Sequence, residues 1–171
     1  MGFDQKRIIV YGTSAGGHLA LMAGLLPTGN EIDLPSCKDA PRPAAILDFF
    51  GPTDLTTIRS IDGKLHPAVP RWIGEVPDLT KAARNVSPVH WLDKSAPPVF
   101  IVHGDADEVV PISQSIDLDR RLAELGVQHE FVIVPGGGHG KFNPEDKAKV
   151  NDRLMSFLCS VKVRRAAQCT K

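Results

Sequence analysis

The sequence predicts an α/β protein built on a parallel sheet of about four strands. Three observations carry that expectation. Short apolar runs rich in β-branched or aromatic residues recur at 8–11, 44–50, 99–103 and 130–134, and those at 44–50 and 99–103 are too continuous to leave one face in water. Stretches with helical character follow three of the four runs. Residues able to do chemistry fall just past the strand ends, the edge of a parallel sheet where sites are built. Alternation of this kind implies right-handed crossovers and a sheet flanked by helices.

The chain is organised around residues 7–26. Ile8-Ile9-Val10-Tyr11 leads into Gly12-Thr13-Ser14-Ala15-Gly16, and an Ala/Leu-rich helix over about 15–26 follows, closed by Pro27-Thr28-Gly29-Asn30. A G-x-S-x-G between a strand and a helix is the nucleophile elbow, a strained bend that holds a serine hydroxyl above the sheet. The glycines stand where strand and helix pass too closely for a Cβ. The Ala15 N–H, at the helix N-terminus, is aimed where an oxyanion would form. A dinucleotide fingerprint would need glycine at position 14, and a P-loop would need a Lys-Ser/Thr pair after the turn. Neither is present.

The remaining elements follow from the same rules. Residues 30–43 are polar and proline-bearing, hence a loop. The run at 44–50 lies between Pro43 and Gly51-Pro52 and reads as a strand buried on both faces. From 51 to 98 the periodicity is weak and prolines recur. This is an irregular, lid-like excursion with one or two short helices, one near 80–85. The strand at 99–103 is followed by a helix over about 112–125, with Ile112, Ile116, Leu122, Ala123 and Leu125 expected inside and Gly126 as its stop. After the strand at 130–134, Asn143 caps the last helix and Pro144 opens it. Val150, Leu154, Phe157, Leu158 and Val161 form its apolar stripe, Lys162, Arg164 and Arg165 lie at its C-terminal end, and the tail from about 164 is expected to fray. The short segment Phe3-Asp4-Gln5-Lys6 reads as a turn or helix end.

Composition bounds the rest. At 171 residues the chain suits one α/β domain spanning 1–171. Twenty basic residues balance twenty acidic ones, so neither a nucleic-acid nor an anionic-membrane partner is expected. No apolar run approaches a membrane span, and no leader with an apolar core opens the chain. Cys37, Cys159 and Cys169 are odd in number and widely spaced. They read as plain thiols rather than a disulfide framework or zinc site, which makes a reducing compartment the default, and, with no signal peptide read, the cytoplasm is the default location. The histidines His18, His103 and His139 lack metal-ligand spacing, so no metal is expected.

Ser14 follows the first strand, Asp105 and Asp107 the third, and His139 the fourth, in Pro135-Gly-Gly-Gly-His139-Gly140. In that order the serine would attack a carbonyl carbon, His139 would take its proton, and an aspartate would fix the imidazole. Asp107, further past the strand, is the expected acid, and Asp105 the turn former. Three further residues are candidates for lining a substrate pocket. His18, one helical turn after Ser14, is also readable as a packed helix histidine, and Trp72 and Trp91 as simple lid packing. Asp54 reads as a helix N-cap.

Gly-Thr-Ser-Ala-Gly-Gly-His-Leu-Ala, Phe-Phe-Gly-Pro-Thr-Asp-Leu, His-Gly-Asp-Ala-Asp-Glu-Val-Val-Pro and Val-Pro-Gly-Gly-Gly-His-Gly together resemble the α/β-hydrolase esterases, within them the feruloyl/acetyl-xylan esterase-like (BD-FAE-like) group. The resemblance covers almost the whole chain. It implies a partial α/β-hydrolase fold and hydrolysis of short acyl or polysaccharide-linked acetyl or feruloyl esters, without cofactor. It places the nucleophile on Ser14, the acid on Asp107 and the base on His139. The group carries further strands and a His-Gly-Gly oxyanion loop ahead of the elbow strand, whereas about six residues precede that strand here. A fragment of a longer esterase, a minimal hydrolase that self-associates along the bare edge of the first strand, and an impaired remnant or interaction module are the resulting readings. A prolyl-oligopeptidase-like peptidase fragment stands beside them.

Overall fold

The computed structural model describes residues 4–37, 40–164 and 169. Four strands, β1 (Ile9–Thr13), β2 (Ala45–Phe49), β3 (Val99–Gly104) and β4 (His129–Val134), form one sheet in the order β1-β2-β3-β4. All three pairings are parallel, so every strand delivers its C-terminal end to the same edge. The helices are α1 (Ala15–Leu25), α2 (Ala68–Ile73), α3 (Leu79–Asn85), α4 (Ser113–Leu125) and α5 (Pro144–Ser160). The chain thus has the partial α/β-hydrolase architecture expected from its motifs.

Two cores sandwich the sheet, and the side-chain alternation of the central strands feeds both. Ile46, Val99 and Ile101 point to one face, where Ala20, Leu21 and Leu25 of α1 and Leu118 and Leu122 of α4 cover them. Leu47, Phe100 and Val102 point to the other, against Val150, Phe157 and Leu158 of α5. On the first face α1 lies close enough that a Cβ at Gly17 would overlap Asp48, and one at Gly24 would overlap Ile46. A third cluster, Leu55, Ile58, Val69, Ala83 and Val110, lies beneath α2 and α3. Gln114 ties that excursion to the sheet layer: its Oε1 accepts from Thr53 N and Asp54 N at 2.8 and 2.7 Å.

Helix ends follow local chemistry. Asn143 caps α5 by accepting from Asp146 N at 2.8 Å, Pro144 is its first residue, and Gly126 closes α4 at φ 69°. β1 is an edge strand, and its Tyr11 side chain is 60% exposed.

Several expectations need correction. The buried face of α4 is Gln114, Ser115, Leu118 and Leu122, while Ile116 is 49% exposed and Ala123 and Leu125 lie outside. The first turn of α4 meets the excursion through polar groups, which rotates its inner face away from Ile116. Cys159 and Cys169 are disulfide-bonded, with Cα atoms 5.7 Å apart, and only Cys37 is free. Two cysteines without a recognisable spacing thus meet at the end of α5, and the thiol argument for a reducing compartment falls away. Asp54 caps a turn rather than a helix, accepting from Thr56 N and Oγ1 at 2.9 and 2.6 Å. Phe3, Arg165 and all of the tail beyond Arg164 except Cys169 lie outside the described residues.

Leu118 is fully enclosed between α4 and the sheet. Leu118→Ala is expected to cost ~2–5 kcal/mol in urea unfolding, whereas Ile61→Ala, at an 87% exposed position, should stay within ~0.5 kcal/mol.

Candidate active site

The site is assembled at the C-terminal edge of the sheet from the ends of β1, β3 and β4. β1 runs into α1 through Ser14, which sits at φ 55°, ψ −124°, a strained region for a residue with a Cβ. The bend is enforced sterically: a Cβ at Gly12 would overlap the backbone of Gly16, so strand and helix meet only because position 12 is bare. Ser14 N–H donates to Phe49 O at 2.8 Å, anchoring the elbow to the end of β2. Ala15 is the first residue of α1, where backbone N–H groups have no intrahelical acceptor.

The loops after β3 and β4 are laced together. Ala106 N–H donates to Gly137 O at 3.0 Å, and Gly136 N–H donates to Asp105 Oδ1 at 2.6 Å, so Asp105 has the turn role expected of it. This lacing brings Asp107 and His139 together. His139 Nδ1 lies 2.8 Å from Asp107 Oδ2, and its Nε2 lies 2.8 Å from Ser14 Oγ, across 125 positions of sequence. A carboxylate only accepts, so Nδ1–H donates to Asp107 and the unprotonated Nε2 accepts from the serine hydroxyl.

Asp107 is enclosed and well supplied with donors. Its Oδ1 accepts from Val109 N and Val110 N at 2.8 and 2.9 Å. Its Oδ2 also lies 3.3 Å from Nε2 of fully buried His103. That contact is not an ion pair. Burial pushes the His103 imidazole below its ordinary range, and the neutral ring accepts from Ser115 Oγ at Nδ1 while its Nε2–H donates to Val110 O at 2.8 Å. His103 was not among the expected site residues, although its place at the end of a buried strand was a usable signal. Phe50 had no sequence signal: at φ 47° it lays its ring edge-on against His139, centroids 4.8 Å apart.

An apolar cavity of about 330 Å³ opens beside Ser14 and Ala15, walled by His18, Leu55, Val69 and Trp72 among others. His139 is not among its lining residues. His18 is a packed wall residue: its Nδ1–H donates to Pro52 O at 3.0 Å, its ring meets Trp72 edge-on at 5.5 Å, and burial lowers its basicity. Trp91 does not join the cavity. Its Nε1–H donates to Asn85 O at 2.7 Å and its ring borders the core on the α1 side, beside the loop after α1. Of the two tryptophans in the excursion, only Trp72 reaches the site. Among the described residues no group of side chains has the makings of a metal site.

Comparison with known proteins agrees with this architecture. A family model described as BD-FAE matches residues 1–122. Esterase LipC of Mycobacterium tuberculosis (strain ATCC 25618 / H37Rv) is 32% identical over 150 residues, 81% of this chain and 36% of LipC. Esterase LipQ of the same organism is 31% identical over 145 residues, 81% of this chain and 34% of LipQ. The chain therefore spans about a third of the length of these relatives. Among solved structures, an acetyl ester-xyloside bifunctional hydrolase from Caldicellulosiruptor lactoaceticus superimposes with a TM-score of 0.73 at 26% identity, covering 95% of this chain and 60% of that one. Propionate-bound esterase 2 from Thermogutta terrifontis superimposes with a TM-score of 0.70 at 26% identity, covering 92% and 57%.

The strain at position 14 is measurable. Ser14→Gly and Ser14→Ala both remove the hydroxyl, but only glycine is at ease at positive φ. Ser14→Gly is expected to be more stable than Ser14→Ala by ~1 kcal/mol in urea unfolding, after the larger entropy of the unfolded glycine chain is set against the relieved strain.

Proposed function

The chain belongs to the BD-FAE family, and we propose that it hydrolyses carboxylic esters through an acyl-enzyme formed on Ser14. The observation that carries the reading is the unbroken hydrogen-bond line from Asp107 through His139 to Ser14. Ser14 Oγ attacks the ester carbonyl carbon as its proton passes to His139 Nε2. Asp107, held by two backbone N–H groups, keeps the imidazole in the tautomer that can accept that proton and stabilises the imidazolium. The tetrahedral oxyanion faces the Ala15 N–H at the positive end of α1. His139 then protonates the leaving alcohol, and water repeats the sequence on the acyl-enzyme.

The cavity supports an assignment of the two halves of the ester. The leaving alcohol takes its proton from His139 and so departs on the imidazole side. The apolar cavity, which Ser14 and Ala15 line and His139 does not, takes the acyl chain. Its walls favour a short hydrocarbon acyl group, in an ester of a small alcohol or of a carbohydrate hydroxyl.

With p-nitrophenyl acetate and butyrate, Ser14→Ala is expected to lower the enzymatic rate by ~10³ or more, and a fluorophosphonate probe should label Ser14 alone. Equal rates for the two proteins overturn the reading. The acyl assignment has its own check. Ala68 lines the cavity from an exposed position; Ala68→Trp should leave acetate hydrolysis within ~3-fold and slow butyrate hydrolysis ~10-fold or more, since a pocket discriminates methylenes by about that factor.

A further inference from the structure

One buried ionisable group stands behind the site without a part in the proposed chemistry. Asp48, on β2 opposite Gly12 of the elbow strand, is fully buried on the α1 face. Its Oδ1 accepts from Gly51 N–H at 3.1 Å, and its Oδ2 has no partner among the described residues. The oxygen lies in the crossing between the first turn of α1 and the turn after β2: a Cβ at Gly17 or at Gly51 would overlap Oδ1. A buried carboxyl with one hydrogen bond is costly, and a hydrophobic side chain in line with Ile46 would be the cheaper filling.

The turn that Asp48 holds meets both reacting residues, Ser14 through its backbone and His139 through its ring. Phe49 O accepts from Ser14 N–H at 2.8 Å. Phe50, at φ 47°, sets its ring against His139. A non-glycine residue stays in that region only when its neighbours over-determine it. Here two hydrogen bonds bracket it, Phe50 N–H to Val102 O at 2.7 Å and Gly51 N–H to Asp48.

We propose that Asp48 is a positioning residue for Ser14 and His139, a clamp that holds the Phe49–Gly51 turn and, through it, the elbow and the imidazole. The inference rests on the hydrolase reading above. Because the clamp lies behind the elbow and not in the acyl cavity, its loss acts on kcat and leaves KM nearly unchanged. Burial pushes the Asp48 carboxyl up to about 8, so the group is neutral at pH 7. The elements packed on it present Gly12 of β1, Ile101 of β3 and Gly17 and His18 of α1. Of these only His18 titrates; it is held neutral by burial and turned to Pro52 O. No cation compensates the charge among the described residues. Above pH 8 the carboxylate is driven toward water and the turn slackens. The folded carboxyl keeps its proton to about 8 against an ordinary 3.8, so the folded state holds the extra proton across that window and stability falls as pH rises through it.

The test compares wild type, Asp48→Asn, which keeps the acceptor but cannot ionise, and Asp48→Leu, which removes the acceptor. With p-nitrophenyl butyrate and the Ser14→Ala rate subtracted, Asp48→Asn should keep kcat within ~3-fold at pH 7 and lose the decline that wild type shows as pH passes about 8. Asp48→Leu should lose on the order of 10–100-fold in kcat with KM nearly unchanged. Superimposable alkaline limbs for wild type and Asp48→Asn overturn the proposal, as does a wild-type kcat in folded Asp48→Leu. A wild-type rate equal to that of Ser14→Ala defeats the hydrolase reading instead. The clamp is then read by NMR from the His139 ring protons, which lie beside the Phe50 ring: their resonances should move in Asp48→Leu and in Phe50→Leu alike and stay in place in Asp48→Asn. Resonances unmoved in Asp48→Leu refute the clamp without reference to activity.

Discussion

The site depends on the close approach of β1 and α1 at Gly12 and Gly16. No side chain fits at position 12 without meeting the backbone of Gly16, so the chain must turn within a single residue, and that residue is Ser14 at positive φ. The geometry that strains the serine also lifts its hydroxyl above the sheet edge and puts the start of α1 directly beneath it. Were the strand and helix a few tenths of an ångström further apart, the turn could relax, and Ser14 would no longer project toward His139.

The strain is held from several sides. Phe49 O fixes the backbone of Ser14, and β2 carries Phe49 because its register on β1 is set by the alternating apolar residues of both strands. On the far side, the loops after β3 and β4 are joined by their own hydrogen bonds, so Asp107 and His139 are held as a pair. Asp107 gathers two backbone N–H groups, the His139 imidazole and the neutral His103 ring. A carboxylate so supplied has both oxygens hydrogen-bonded out of contact with water. The elbow and two interlaced loops thus carry the members of the hydrogen-bonded line, and the apolar cavity adjoins its serine end.

Around this centre the fold tolerates polar burial where it serves geometry. Gln114, 5% exposed, spends its side chain on the backbone of Thr53 and Asp54, fastening the excursion that supplies Trp72 and Val69 to the cavity wall. Ser87 does the same for Leu55, accepting its N–H at 2.8 Å while donating to Ala83 O at 2.6 Å. These are satisfied groups. Asp48, with one oxygen unpartnered among the described residues, is a costly exception, and it lies directly behind the elbow.

By itself the sequence determined what local chemistry decides. Apolar runs and their bounding glycines and prolines located the strands, Asn143, Pro144 and Gly126 marked helix ends, and G-x-S-x-G announced the bend at Ser14. The parallel order followed from alternation, and that order alone is enough to bring Ser14, Asp107 and His139 to one sheet edge. Only the tertiary structure decided which groups meet across the chain. It brought His103 to Asp107, Phe50 to His139, Trp72 to the cavity and Trp91 away from it, and Cys159 to Cys169. It also turned the inner face of α4, whose apolar residues alone had suggested a different side. The reason is physical. Backbone preferences and periodicity act over a few residues and are written in them, whereas the depth of a cavity, the partner of a buried imidazole and the strain at Phe50 arise from packing between segments whose sequences carry no record of one another.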